Sequence, residues 1–149
     1  MVAWICSVPT TTTTAIPADV LVVDASAIVE LILETSTGES VARRLSEAGR
    51  LVAPAHHDAE VLSAVRRATL GDRISGRDAG IALEMFVALP IERAPLAPLL
   101  DRSLELRNTV SAGDALYVAL AEALRVPILS TDIRLGRSHG HDAVVELVT

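Results

Sequence analysis

Short apolar runs alternate along the chain with longer stretches in which apolar residues recur every three or four positions. Val20-Leu21-Val22-Val23 is the sharpest of the runs, and it leads directly into Asp24-Ala25-Ser26. An unbroken run of mostly β-branched residues reads as a strand covered on both faces. Leu51–Ala53 (closed by Pro54), Pro127–Ser130 and Ala143–Val148 predict further strands, and Ile91–Ala94 is a shorter candidate after the stop at Pro90. Between them lie helical patterns. Ala27–Leu33 runs on without a breaker. Ser36 with Glu39 has capping-box spacing ahead of Val41, Ala42 and Leu45, and Gly49 ends that segment. Ala55–Leu70 carries an inner stripe of Val61, Leu62, Val65 and Ala68, stopped by Gly71. Ser75 with Asp78 opens a helix through Ile81, Leu83, Phe86 and Val87. Another helix falls near Leu96–Leu106, and Ser111 with Asp114 precedes one over Ala115–Arg125.

Strands that alternate with helices predict an α/β fold with a central, mainly parallel sheet and helices on both faces. The pattern starts at about residue 19. It contains no internal repeat, no linker and no second domain, so residues 19–149 read as one domain. Residues 1–18 read as a poorly specified extension: Trp4-Ile5-Cys6 is apolar, Thr10–Thr14 is a threonine run, and Pro17 follows. The extension lacks the basic start and the apolar length of a secretory signal. No apolar segment is long enough to span a membrane.

Composition narrows the chemistry. The chain has 149 residues and one cysteine, which excludes an internal disulfide and fits a reducing cytoplasm. All 13 basic residues are arginine, which excludes a phosphate loop that needs lysine and a Schiff-base enzyme. The net charge of −6 argues against passive, charge-driven nucleic-acid binding. It still allows a nuclease whose acids are covered by metal ions. The three aromatics, Trp4, Phe86 and Tyr117, are too few for a base-stacking reader.

Asp24 and Asp132 each stand where a predicted strand leaves the sheet, and ligand sites of parallel sheets lie beyond the carboxyl ends of the strands. Asp24 alone is equally well read as the cap of the next helix. Asp114 stands at a helix start, where an acid also complements the helix dipole. Glu60 lies one turn into its helix beside the apolar stripe, a place where a glutamate is ordinarily solvated. Taken together, such acids would repel one another unless a divalent cation joined them. Oxygen-only ligands select Mg2+ or Mn2+ over Zn2+. His56 and Glu60 share a helix face, but without a further ligand His56 reads as a surface or supporting histidine. His139 and His141 read as a polar loop, and Cys6 as a bystander. Arg134 and Arg137, just past Asp132, are at the right end of the sheet to grip phosphate or simply to be solvated.

The ordered set resembles a known family. A strand followed by Asp24-Ala25-Ser26, then Ala59-Glu60-Val61-Leu62 with Arg66 and Arg67, then Ser111-Ala112-Gly113-Asp114-Ala115 and finally Leu129-Ser130-Thr131-Asp132 resembles PIN-domain ribonucleases, most closely the VapC toxins of type II toxin–antitoxin pairs. The likeness covers roughly residues 20–148. It implies a PIN-like three-layer fold and Mg2+- or Mn2+-dependent hydrolysis of RNA phosphodiester bonds. It further implies a cognate VapB-like antitoxin occupying the cleft, and a homodimer. Carried over by position, Asp24, Glu60, Asp114 and Asp132 are the catalytic metal ligands. Ser26 and Thr131 are the supporting hydroxyls, and Arg66 and Arg67 match the family's basic pair; these two are expected RNA contacts, as are Arg134 and Arg137 from their place just past Asp132. Two alternatives stand beside this reading. One is a phosphatase-like α/β domain using Asp24 as nucleophile; the other is a PIN-fold binding module without catalysis. The chain departs from the family at its start, where an extension of eighteen residues precedes the domain.

Overall fold

The computed structural model describes residues 20–149. The extension expected over 1–18 lies outside them. Five strands form one sheet: β1 (Val20–Val23), β2 (Arg50–Pro54), β3 (Ile91–Ala94), β4 (Ile128–Ser130) and β5 (Val145–Leu147). Their order is β3-β2-β1-β4-β5 and every pairing is parallel. β1 is the central strand and all four of its residues are buried, as an unbroken apolar run requires.

The helices are α1 (Ala25–Ile32), α2 (Ser36–Ser46), α3 (His57–Leu70), α4 (Gly76–Ala88), α5 (Leu100–Glu105), α6 (Ala112–Leu124) and the single turn α7 (Ile133–Gly136), with a 3-10 turn at Ala97–Leu99. From β1 to β3 the chain steps in one direction across the sheet. It then crosses back past β1 to reach β4. Right-handed crossovers put the connections of the two directions on opposite faces. Accordingly α1 packs against α2, α3 and α4, while α6 lies against β1, β2 and β4 with α5 beside it. This is the three-layer arrangement expected from the sequence. No described helix is long and apolar enough to cross a membrane.

Several boundaries differ from the sequence reading. Thr35, not Ser36, caps α2: its hydroxyl accepts from the Gly38 amide. Thr35 is also tied to the Glu30 side chain, so the turn from α1 fixes the cap one residue early. The Ser75–Asp78 capping box forms as expected. The Leu96–Leu106 helix is split by the 3-10 turn. Leu62, placed in the inner stripe of α3, is about half exposed, because Val61, Val65 and Ala68 already fill the inward face. Ile81 and Val87 of α4 are likewise exposed, while Ala82 and Phe86 face inward.

α1 and α2 meet closely at Gly38. A Cβ there would come within 2.4 Å of the Glu30 carbonyl oxygen, a backbone atom with little freedom to yield. Gly38→Ala is therefore expected to lose about 1–3 kcal/mol of stability through overpacking. Gly80→Ala, inside α4 with open space around it, should instead gain about 0.5–1 kcal/mol from helix propensity. Thermal or urea unfolding of the two variants checks both signs.

Candidate active site

β1 and β4 are neighbours, and the chain leaves them toward opposite faces of the sheet. This is the switch point at which parallel sheets open a crevice beyond their strand ends. Asp24 emerges there from β1, and Asp132 two residues after β4. A cleft of about 850 Å3 lies over this point. Asp24, Glu60, Asp114 and Asp132 all line it, together with Ser26, His56, Ser111, Arg67, Arg73 and Arg134.

Asp24 occupies the N-cap position of α1 yet makes no capping hydrogen bond with its side chain. Its carboxylate instead accepts from the hydroxyls of Ser26 (2.5 Å) and Ser130 (2.7 Å), both on Oδ2. Ser26 Oγ accepts from the Thr131 amide, and Ser130 Oγ from the Asp132 amide. These bonds bind the ends of β1 and β4 together around a carboxylate only 6% exposed. Burial pushes the Asp24 carboxyl above its ordinary value. The two hydroxyls oppose that rise, and the nearby charges of Glu60 and Asp114 add to it.

Glu60 projects from the first turn of α3. The Tyr117 hydroxyl of α6 donates to its Oε2 at 2.7 Å, and His56 Nε2 lies 3.5 Å from the same oxygen. Behind Tyr117 stands His57, fully buried, with Nδ1 3.0 Å from the phenol oxygen. Burial, reinforced by Arg93, lowers the His57 pKa to about 4, so the ring is neutral at ordinary pH. Asp114 lies in the first turn of α6, whose start is capped by Ser111 accepting from the Asp114 amide. Asp132 caps α7 and pairs with Arg134 (3.0 Å), which holds its carboxyl below the usual range.

The four expected acids therefore share one cleft. Among the described residues, however, no three acidic, histidine or cysteine side chains converge on a single point. Asp132 is turned into its own helix start and Glu60 toward Tyr117. The donor set nonetheless suits a hard divalent cation: oxygen atoms only, with the most buried one in a site where neighbouring negative charge is already unfavourable.

Of the arginines expected at the RNA, Arg67 and Arg134 line the cleft; Arg66 and Arg137 do not, and Arg73 takes a place beside them. The expectation for Thr131 also needs correction. Thr131 contributes its backbone amide, while the supporting hydroxyl is that of its neighbour Ser130. Ser130 is the last residue of β4 and points into the sheet end beside Asp24, whereas the next residue has already left the strand. His56, read as surface or supporting, is the latter: it lies against Glu60 and Tyr117, mostly buried. Tyr117 and His57 were assigned no role from the sequence.

Comparison with known proteins gives a consistent picture. Residues 21–138 match the family model described as PIN domain. Over 129 residues the chain is 48% identical to Ribonuclease VapC12 of Mycobacterium tuberculosis, covering 86% of this chain and 98% of the relative. It is 41% identical to Ribonuclease VapC1 of the same organism over 87% of this chain and 98% of the relative. Among solved structures, VapBC2 from Rickettsia felis bound to a promoter DNA fragment superposes with a TM-score of 0.65. That match has 14% identity and covers 87% of this chain and 99% of the other. Mycobacterium tuberculosis VapC20, a Sarcin-Ricin loop cleaving toxin, gives 0.62 at 16% identity over 83% and 98%.

Because the folded protein raises the Asp24 carboxyl, it holds that proton more tightly than the unfolded chain does. The associated stability is complete in acid and is lost as pH rises through the folded value. Asp24→Asn, which cannot ionise, should therefore melt higher than the wild type at pH 8 in EDTA, and the gap should close toward pH 4. Thermal unfolding across that range checks it; an Asp24→Asn protein less stable at pH 8 than at pH 4, relative to wild type, contradicts the assignment.

Proposed function

The chain belongs to the PIN-domain family and, within it, to the VapC ribonucleases, and on that premise we propose that it is the toxin of a type II toxin–antitoxin pair. Its activity in this reading is Mg2+- or Mn2+-dependent hydrolysis of RNA phosphodiester bonds in the cytoplasm. The observation that carries the proposal is the gathering of Asp24, Glu60, Asp114 and Asp132, drawn from four separate elements, around one cleft at the β1–β4 switch point.

Asp24, Asp114, Glu60 and Asp132 are the residues to hold the cation. Bound there, a divalent ion supplies Lewis-acid polarisation of the scissile phosphate and a more acidic attacking water. The protein's own groups do the rest. Ser26 and Ser130 orient the Asp24 carboxylate and favour its anionic form by donating to it. A carboxylate left free of the cation accepts the proton of the attacking water. Arg67, Arg73 and Arg134 stand at the exposed edges of the cleft, where guanidinium groups grip backbone phosphates without reading bases. Arg134 has a second effect. On binding phosphate it releases Asp132, which it now holds in an ion pair.

The two described aromatics, Phe86 and Tyr117, are both buried, so RNA is held by phosphate contacts and not by stacking. A cognate VapB-like antitoxin inhibits the toxin by covering the cleft. The exposed apolar residues Leu62, Ile81 and Met85 on α3 and α4 leave surface for the antitoxin and for a homodimer partner.

Purified protein should cleave RNA with added Mg2+ or Mn2+ and stop when EDTA is added. Asp24→Asn and Asp114→Asn should each lower the rate by about two to three orders of magnitude. Equal cleavage by the variants and the wild type sinks the proposal. Added Mn2+ should also raise the Tm of the wild type and leave that of Asp24→Asn nearly unchanged, since only binding to the folded state stabilises.

A further inference from the structure

Glu60 is the one acid of the four whose carboxylate is held by a side chain from the opposite layer of the fold. It lies on α3; the group that holds it, Tyr117, lies on α6 and is fully buried. A carboxylate only accepts, so the single phenol proton goes to Glu60 Oε2. The phenol oxygen must then accept from His57, whose Nδ1 is 3.0 Å away. His57 is thereby fixed as the tautomer with its proton on Nδ1, and its Nε2 is left buried without a partner. The result is one ordered chain, His57 Nδ1–H to Tyr117 Oη–H to Glu60 Oε2.

The other oxygen of Glu60 is confined from the opposite side. A Cβ at Gly113 would stand 2.9 Å from Glu60 Oε1, so this position admits Glu60 only while it is glycine. Gly113 and Tyr117 are four apart on α6 and face the same way, with Asp114 beside them. One helix face thus makes room for Glu60, holds it and supplies a neighbouring acid.

We propose that Tyr117, backed by His57, is a positioning residue that seats the Glu60 carboxylate at the metal site. This rests on the reading of Glu60 as a metal ligand. Tyr117 does not touch substrate or the reacting atoms; it acts only through Glu60. A plain core role for Tyr117 would explain its ring burial. It would not explain the directed hydrogen bond to an acid at the cleft.

The test is Mn2+ binding by calorimetry to the wild type, Tyr117→Phe, Glu60→Gln and the double variant, with Tm measured alongside. Tyr117→Phe keeps the packed ring and removes only the hydroxyl. It should weaken Mn2+ binding about tenfold to a hundredfold. In RNA cleavage it should lower kcat with KM little changed. In the Glu60→Gln background it should weaken binding no further, because its effect passes through Glu60. Gly113→Ala is the second variant. The atom its methyl meets is the end of a flexible side chain, so the fold is kept while Glu60 is displaced, and Mn2+ binding should weaken similarly. If Glu60→Gln weakens binding while Tyr117→Phe and Gly113→Ala bind as the wild type does, the positioning role is overturned and the ribonuclease reading stands. If Glu60→Gln itself binds as the wild type does, Glu60 is no ligand, and both the positioning role and the four-acid assignment fail.

Discussion

A carboxylate is buried at the end of the central strand, and the surrounding structure is arranged to keep it there. Isolated burial of a charge is strongly unfavourable, and a protein ordinarily escapes it by neutralising the group. Here two serine hydroxyls, from the start of α1 and the end of β4, converge on one oxygen of Asp24. Each hydroxyl is in turn fixed by a backbone amide in the turn after β4. The register of β1 against β4, Val23 opposite Leu129, brings these groups together, so the sheet pairing and the site are one construction.

Around that fixed point the other acids are held with different degrees of freedom. Glu60 is locked between Tyr117 and the bare Cα of Gly113. Asp114 stands in the first turn of α6, close enough to Arg134 for the two charges to interact. Asp132 is already engaged by Arg134, whose side chain is almost fully exposed. Two acids are thus seated by buried neutral donors and one by a solvent-facing cation, which water and salt weaken easily. Neutral hydroxyls hold the acids on the α1 and α3 sides of the cleft, and an exposed guanidinium pairs with the acid on the α7 side.

Much of this was legible in the chain itself. The buried strand ending on Asp24, the second strand before Asp132, the parallel sheet and the acid at the start of α6 follow from apolar run length, capping spacing and the alternation of strand and helix. Errors fell where one local signal had near-equal neighbours. Thr35 and Ser36 are adjacent capping residues, and the bond from Thr35 to Glu30 decided between them. Ser130 and Thr131 are adjacent hydroxyls, and the direction of the last residue of β4 decided that choice.

What the sequence by itself determined is where the acids sit along the secondary structure, because apolar periodicity and caps are local properties of consecutive residues. Only the tertiary structure decided their partners. Ser130 meets Asp24 across a separation of 106 residues, and Tyr117 meets Glu60 across 57. Such contacts depend on which faces of distant elements are pressed together, and no pattern along the chain encodes that meeting. The same holds for His57: a histidine beside another histidine at a helix start carries no signal of its own. Its neutral state and its place behind Tyr117 exist because its ring is packed between Phe86 of α4 and Tyr117 of α6, away from water.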